Sequence, residues 1–177
     1  MTDDRLLYQS SILRGSYFNR MLDCGPYSQR VEIALRYLPR DVLDEHKEKL
    51  VFISMAHRDG CRLARVLCET REVILLSEHV LPKAHPDERQ SDVRYFIYVV
   101  LHEVAHAIKK HRSPQYDSLT DEEFDAQEQE ADHLAMQWFN DHIATLANPC
   151  LPAITREEIE LAQAKSQETM QRLLNGA

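Results

Sequence analysis

The five residues His102-Glu103-Val104-Ala105-His106 constrain this chain more than anything else in it. They close a segment, Ser91–His111, whose first half is apolar nearly all round, the pattern of a helix buried at the centre of a domain. Ser113-Pro114 ends that pattern, because a residue before proline is pushed out of helical geometry. On a helix, side chains four residues apart stand one above the other, so His102 and His106 can reach a single ion. Glu103 lies one residue along, near enough to act on a water at that ion without ligating it. Two histidines, a carboxylate and an open position form the usual catalytic zinc site, and two buried imidazoles without a partner would be costly.

The third ligand is read from helical phase in the next segment. Thr120-Asp121-Glu122-Glu123 is a capping-box start, and the helix it opens runs to about Leu146. Phe124, Ala131, Ala135 and Trp138, with Leu134 beside them, define its buried stripe. Glu128 falls on that stripe and Asp132 at its edge. A carboxylate on an apolar face needs a partner, which a metal supplies. Glu128 is therefore the expected ligand. Asp132, one turn on, can accept a hydrogen bond from the second ring nitrogen of His102 or His106. The plainer reading makes both residues ordinary surface acids. Glu130 points toward the side carrying Gln127, Gln137 and Asp141. His133 faces away from Glu128 by about 140° at 3.6 residues per turn.

His102-Glu103-x-x-His106 followed by Glu128-x-x-Ala131-Asp132 resembles the gluzincin metallopeptidases. Glu128-Gln129-Glu130-Ala131-Asp132 is similar to the corresponding stretch of ImmA/IrrE-type and HtpX-like peptidases, and the short spacer resembles the minigluzincins. The resemblance spans about residues 50–146. It departs at His133–Trp138, and neither a helix-turn-helix partner domain nor membrane helices accompany it. It implies a zincin-like fold, one zinc ion on His102, His106 and Glu128, Glu103 as general acid and base, and a peptide or protein substrate. It also implies that Glu72–Ser77 is the sheet's edge strand beside the cleft. Tyr116, His111 and His142 stay open as donors to a developing oxyanion. A metal-binding regulatory or interaction protein with little proteolytic activity is the competing class.

The rest of the chain sets the frame. At 177 residues, 44% apolar and with four glycines, one helix-rich domain over residues 1–177 is expected. Helices are predicted at Ser28–Leu38, Asp41–Lys49 and, from a second capping box at Thr155–Glu158, to about Leu174. Val51–Met55, Arg62–Leu67 and Glu72–Ser77 read as strands of a small, mostly antiparallel sheet, with Leu81–Gln90 a loop. The class is therefore α+β, with the sheet packed on the buried helix. A net charge of −8 argues against nucleic acid or anionic lipid as partners. An acidic start, no apolar leader and no run long enough for a membrane span predict a cytoplasmic protein. Cys24, Cys61, Cys68 and Cys150 form no C-x-x-C pair and are expected to be reduced thiols.

Overall fold

The computed structural model describes residues 22–23, 28–55, 60–63, 72–77, 90–112 and 117–175. Its elements in chain order are β1 (Leu22–Asp23), α1 (Ser28–Leu35), α2 (Arg40–His46), β2 (Leu50–Met55), β3 (Gly60–Leu63), β4 (Glu72–Ser77), α3 (Gln90–Lys109), α4 (Asp121–Thr145) and α5 (Arg156–Asn175). This is an α+β arrangement of five described helices and a small sheet. Among the described residues, no helix is long and apolar enough to cross a membrane. The expected loop at Leu81–Gln90, except for Gln90, lies outside the described residues, as do Cys24 and Cys68.

The sheet corrects two expectations. Its strand order is β1-β2-β4-β3, and β2 runs parallel to both β1 and β4; only β3 is antiparallel, to β4. It is mixed and mainly parallel, not mostly antiparallel. β4 is also an inner strand rather than an edge strand, paired along its whole length with β2 and over Val73–Leu76 with β3. The physical reason lies in the composition of β4. Val73, Ile74, Leu76 and Ser77 are buried, and a strand covered on both faces takes the middle of a sheet, leaving the edge to a shorter neighbour. From β2 the chain therefore crosses to the far edge, and β3 turns back to bring β4 in between. β3 is described over Gly60–Leu63, so of the strand expected at Arg62–Leu67 residues 64–67 lie outside the described residues. The parallel β1–β2 pair is joined through α1 and α2, the helical crossover that parallel neighbours need.

α3 is the hub, packed against α1, α4, α5, β3 and β4. The run Tyr95–Leu101 is buried throughout, which follows from an apolar stretch with neighbours on every side. On α4 the buried residues are Ala131, Ala135, Trp138, Phe139 and Ile143. Phe124 departs from the expected stripe: it is 37% exposed and lies about two turns before Ala131, the first buried residue of the helix.

Both capping boxes are present. Thr120 Oγ1 accepts from Glu123 N at 3.2 Å while Thr120 N donates to Glu123 Oε2 at 3.0 Å. Thr155 and Glu158 repeat the exchange at 3.3 and 3.1 Å. Glu158 also takes a two-pronged pair from buried Arg94 of α3, at 2.5 and 2.9 Å, which ties the start of α5 to the hub. Asn140 exchanges two hydrogen bonds with the backbone of Ile154, at 2.9 and 3.1 Å, and so fixes the connection between α4 and α5.

Candidate metal centre

Where α3 and α4 face each other, His102, His106 and Glu128 present their ligand atoms to one point. His102 Nε2 and His106 Nε2 are 3.0 Å apart, and each lies 3.4 Å from an oxygen of Glu128. Ligands about 2.0–2.1 Å from a tetrahedral ion stand roughly 3.3 Å from one another. The two 3.4 Å contacts are to different oxygens, Oε2 for His102 and Oε1 for His106, so the carboxylate straddles the histidine pair. With one ligand atom from each residue, all within 4.8 Å of one another, this group can hold a metal ion. Both imidazoles are nearly covered, with 12% of each side chain exposed, while Glu128 keeps 39%. Glu128 is therefore the most exposed of the three.

Helical geometry explains the placement. His102 and His106 share the α3 face turned toward α4, one turn apart. Glu103 is buried on the same helix and outside the ligand triangle, near enough for its charge to favour a proton on His102. Asp132 stands behind His102, its Oδ1 2.9 Å from Nδ1, an ion contact off the N–H axis. The buried Tyr98, one turn before His102 on α3, donates its hydroxyl to that same Oδ1. In the metal-free protein, burial opposes charge on His102, but Asp132 and Glu128 outweigh it and push its pKa up to about 10. Burial likewise opposes charge on Glu128 and Asp132, yet both are held below the usual carboxylate values by His102, with further help from His106 and Tyr98 respectively. Burial and the Asp132 charge hold the Tyr98 phenol well above its ordinary value.

The second ring nitrogen of His106 is met differently. His106 Nδ1 lies 2.8 Å from His111 Nδ1, and His111 Nε2 lies 3.0 Å from Glu130 Oε2. Lys109 Nζ contacts the other Glu130 oxygen at 2.6 Å. His111 is thus buried with both nitrogens engaged by His106 and Glu130, which leaves neither to donate to an oxyanion. His142 is not brought to the site either. It lies fourteen residues beyond Glu128 on α4, roughly 21 Å at 1.5 Å per residue, with its ring 4.3 Å from that of Tyr37. Burial lowers its pKa. Tyr116 lies outside the described residues. His133 is exposed and outside the ligand group.

Tyr98 and the contact of Glu130 with His111 were not read from the sequence. Tyr98 carried a signal, since a tyrosine four residues before a ligand histidine shares its face and a buried hydroxyl needs a partner. Compared with protein-family models, curated proteins and solved structures, the chain matches none.

Proposed function

We propose that the chain is a zinc-dependent metallopeptidase of gluzincin type and zincin-like fold, acting in the cytoplasm on peptide or protein substrates. The observation that carries the proposal is the ligand triangle of His102, His106 and Glu128 with a buried glutamate, Glu103, beside it on the same helix. A purely structural metal site has no use for that carboxylate. Nor would it leave its carboxylate ligand partly open to solvent.

Zinc on these three residues would acidify a water toward neutrality and polarise the carbonyl under attack. Glu103 would serve as the proton acceptor for an attacking water and as the proton donor to the leaving amine. Asp132 and Tyr98 hold His102, and the burial of His102 and His106 keeps competing water from their nitrogens. An extended peptide is accommodated by adding to β3, the short antiparallel edge strand packed against α3. This role, which the sequence reading gave to β4, passes to β3 because β4 is paired on both sides.

Metal analysis of the purified chain and of Glu103→Gln, combined with a peptide-library cleavage assay, tests the proposal. One zinc per chain is expected in both proteins, with cleavage by the unaltered chain alone and a loss of about 10²–10⁴-fold in the variant. Zinc without cleavage would replace the peptidase with a metal-binding regulatory protein. No zinc in either would end the reading altogether.

A further inference from the structure

We infer that His111 is a positioning residue for the ligand His106, accepting its Nδ1 proton so that the Nε2 lone pair faces the metal. The inference rests on the metal centre proposed above and concerns how this chain builds it.

The donors and acceptors allow only one consistent assignment. To ligate through Nε2, a neutral His106 must carry its proton on Nδ1. At 2.8 Å from that atom, His111 Nδ1 must accept. The remaining proton of His111 then sits on Nε2, which meets Glu130 Oε2 at 3.0 Å, where only an acceptor is offered. Lys109, at 2.6 Å from Oε1, keeps Glu130 charged and oriented. Every nitrogen and oxygen in the chain from Lys109 to His106 has a role, and reversing any one places two protons or two lone pairs face to face.

The backbone is shaped to bring His111 there. α3 ends with Lys110 N bonded to Ala107 O at 3.3 Å and His111 N bonded to His106 O at 3.0 Å. These are the paired bonds of a Schellman motif, with Lys110 in the left-handed position at φ 54°. That position usually belongs to glycine, because a Cβ there crowds the backbone. The motif folds the residue after the turn back over the one five positions earlier, a place an apolar contact often fills. Here an imidazole fills it, edge-on to His106 with ring centroids 4.9 Å apart. A histidine that merely complements the end of a helix needs no such contact.

Zinc affinity measured by chelator competition on the full chain decides the matter. His111→Phe is expected to weaken zinc by about 10–100-fold. His111→Gln, whose amide oxygen can accept from His106, should recover much of that loss. Lys110→Gly should leave affinity unchanged. Lys110→Val, which disfavours the left-handed turn, should mimic His111→Phe. A slowly exchanging downfield proton on His106 Nδ1, seen by nitrogen-15 NMR in the unaltered chain and lost in His111→Phe, is the signature a merely structural role would not move. Should His111→Phe fail to fold, Lys110→Val and the proton resonance carry the test. Unchanged affinity in His111→Phe, or a His111→Gln no better than it, would overturn the inference while leaving the metal centre intact. An unaltered chain that takes up no zinc would overturn both.

Discussion

His102 and His106 stand one turn apart on the same helix and are equally covered, yet what lies behind them differs. His102 is backed by a carboxylate, Asp132, itself gripped by a buried phenol. His106 is backed by another imidazole, with its carboxylate one step further out, among partly exposed Glu130 and Lys109. The difference lies in charge and screening. A carboxylate in direct contact with a buried ring strengthens that ring as a proton acceptor and as a metal donor. The same charge relayed through a neutral ring and facing water acts mainly through direction. One ligand is held by electrostatics, the other by hydrogen-bond geometry.

The largest effect that would break this contrast comes from Asp132→Ala. It removes the charge behind His102 and strands the Tyr98 hydroxyl. Zinc affinity should fall by about 10–100-fold, and the metal-free protein should lose about 1–3 kcal/mol for the unpaired buried group. Glu130→Ala, the corresponding removal on the other side, should cost distinctly less of both. Equal losses measured by chelator competition and thermal melting would erase the distinction.

The contrast also predicts a pH dependence. His102 is raised from 6.5 to about 10 in the metal-free fold, so it carries its proton at neutral pH. Zinc must displace that proton, and its apparent affinity should rise about tenfold per pH unit from pH 7 toward 10. The sign for stability is opposite. The contribution of His102 to the metal-free fold is complete below about 6.5 and is lost as pH rises toward 10. Glu128 and Asp132, lowered from 4.5 and 3.8, contribute above those values and lose their contribution as pH falls through the depressed ones. Calorimetry in buffers of different ionisation enthalpy should register one proton released per zinc at pH 7.5; none released would mean that His102 is neutral before the metal arrives.

How much of this was legible in the sequence follows the same divide. His102, His106, Glu128 and Asp132 occupy helix interiors, where a spacing of 3.6 residues fixes direction; the five-residue motif selected the first two and helical phase the other two. The His111 arrangement depends on a left-handed turn at Lys110, where neither glycine nor asparagine announces one. Phase correctly turned Glu130 away from Glu128, yet that side of α4 is covered by the reversed tail of α3. Gln127, on the same side, exchanges hydrogen bonds with the Arg112 backbone at 2.7 and 3.2 Å. In the sheet, β2 and β4 were readable from β-prone runs, β3 only at Arg62 and Leu63 and β1 not at all, while partner and direction were not readable. The unbroken apolar run Val73–Leu76 was nonetheless a mark of an inner strand.

A smaller step sharpens the inner side. Tyr98→Phe keeps the ring in the core and removes only the hydroxyl that Asp132 accepts from. Asp132 retains His102, so the stability loss should stay below that of Asp132→Ala, with zinc only a few-fold weaker. Zinc weakened as far as in Asp132→Ala would mean that the phenol, rather than the carboxylate charge, sets the strength of His102.

The smallest expected effect separates the site from its scaffold. Thr120 caps α4 two turns before Glu128 and touches neither relay. Thr120→Ala removes one half of the capping box, which costs about 1 kcal/mol, and in a chain of this size lowers the melting temperature by about 2–4 °C. Helix ends fray locally, and the α4 turns around Glu128 and Asp132 are held by His102 and by the burial of Ala131 and Ala135. Zinc affinity should therefore stay at that of the unaltered chain while stability drops. If affinity falls with stability, the N-terminal turn of α4 is part of the metal site. The contrast between a charged and a geometric support would then have to include a third, made by the helix itself.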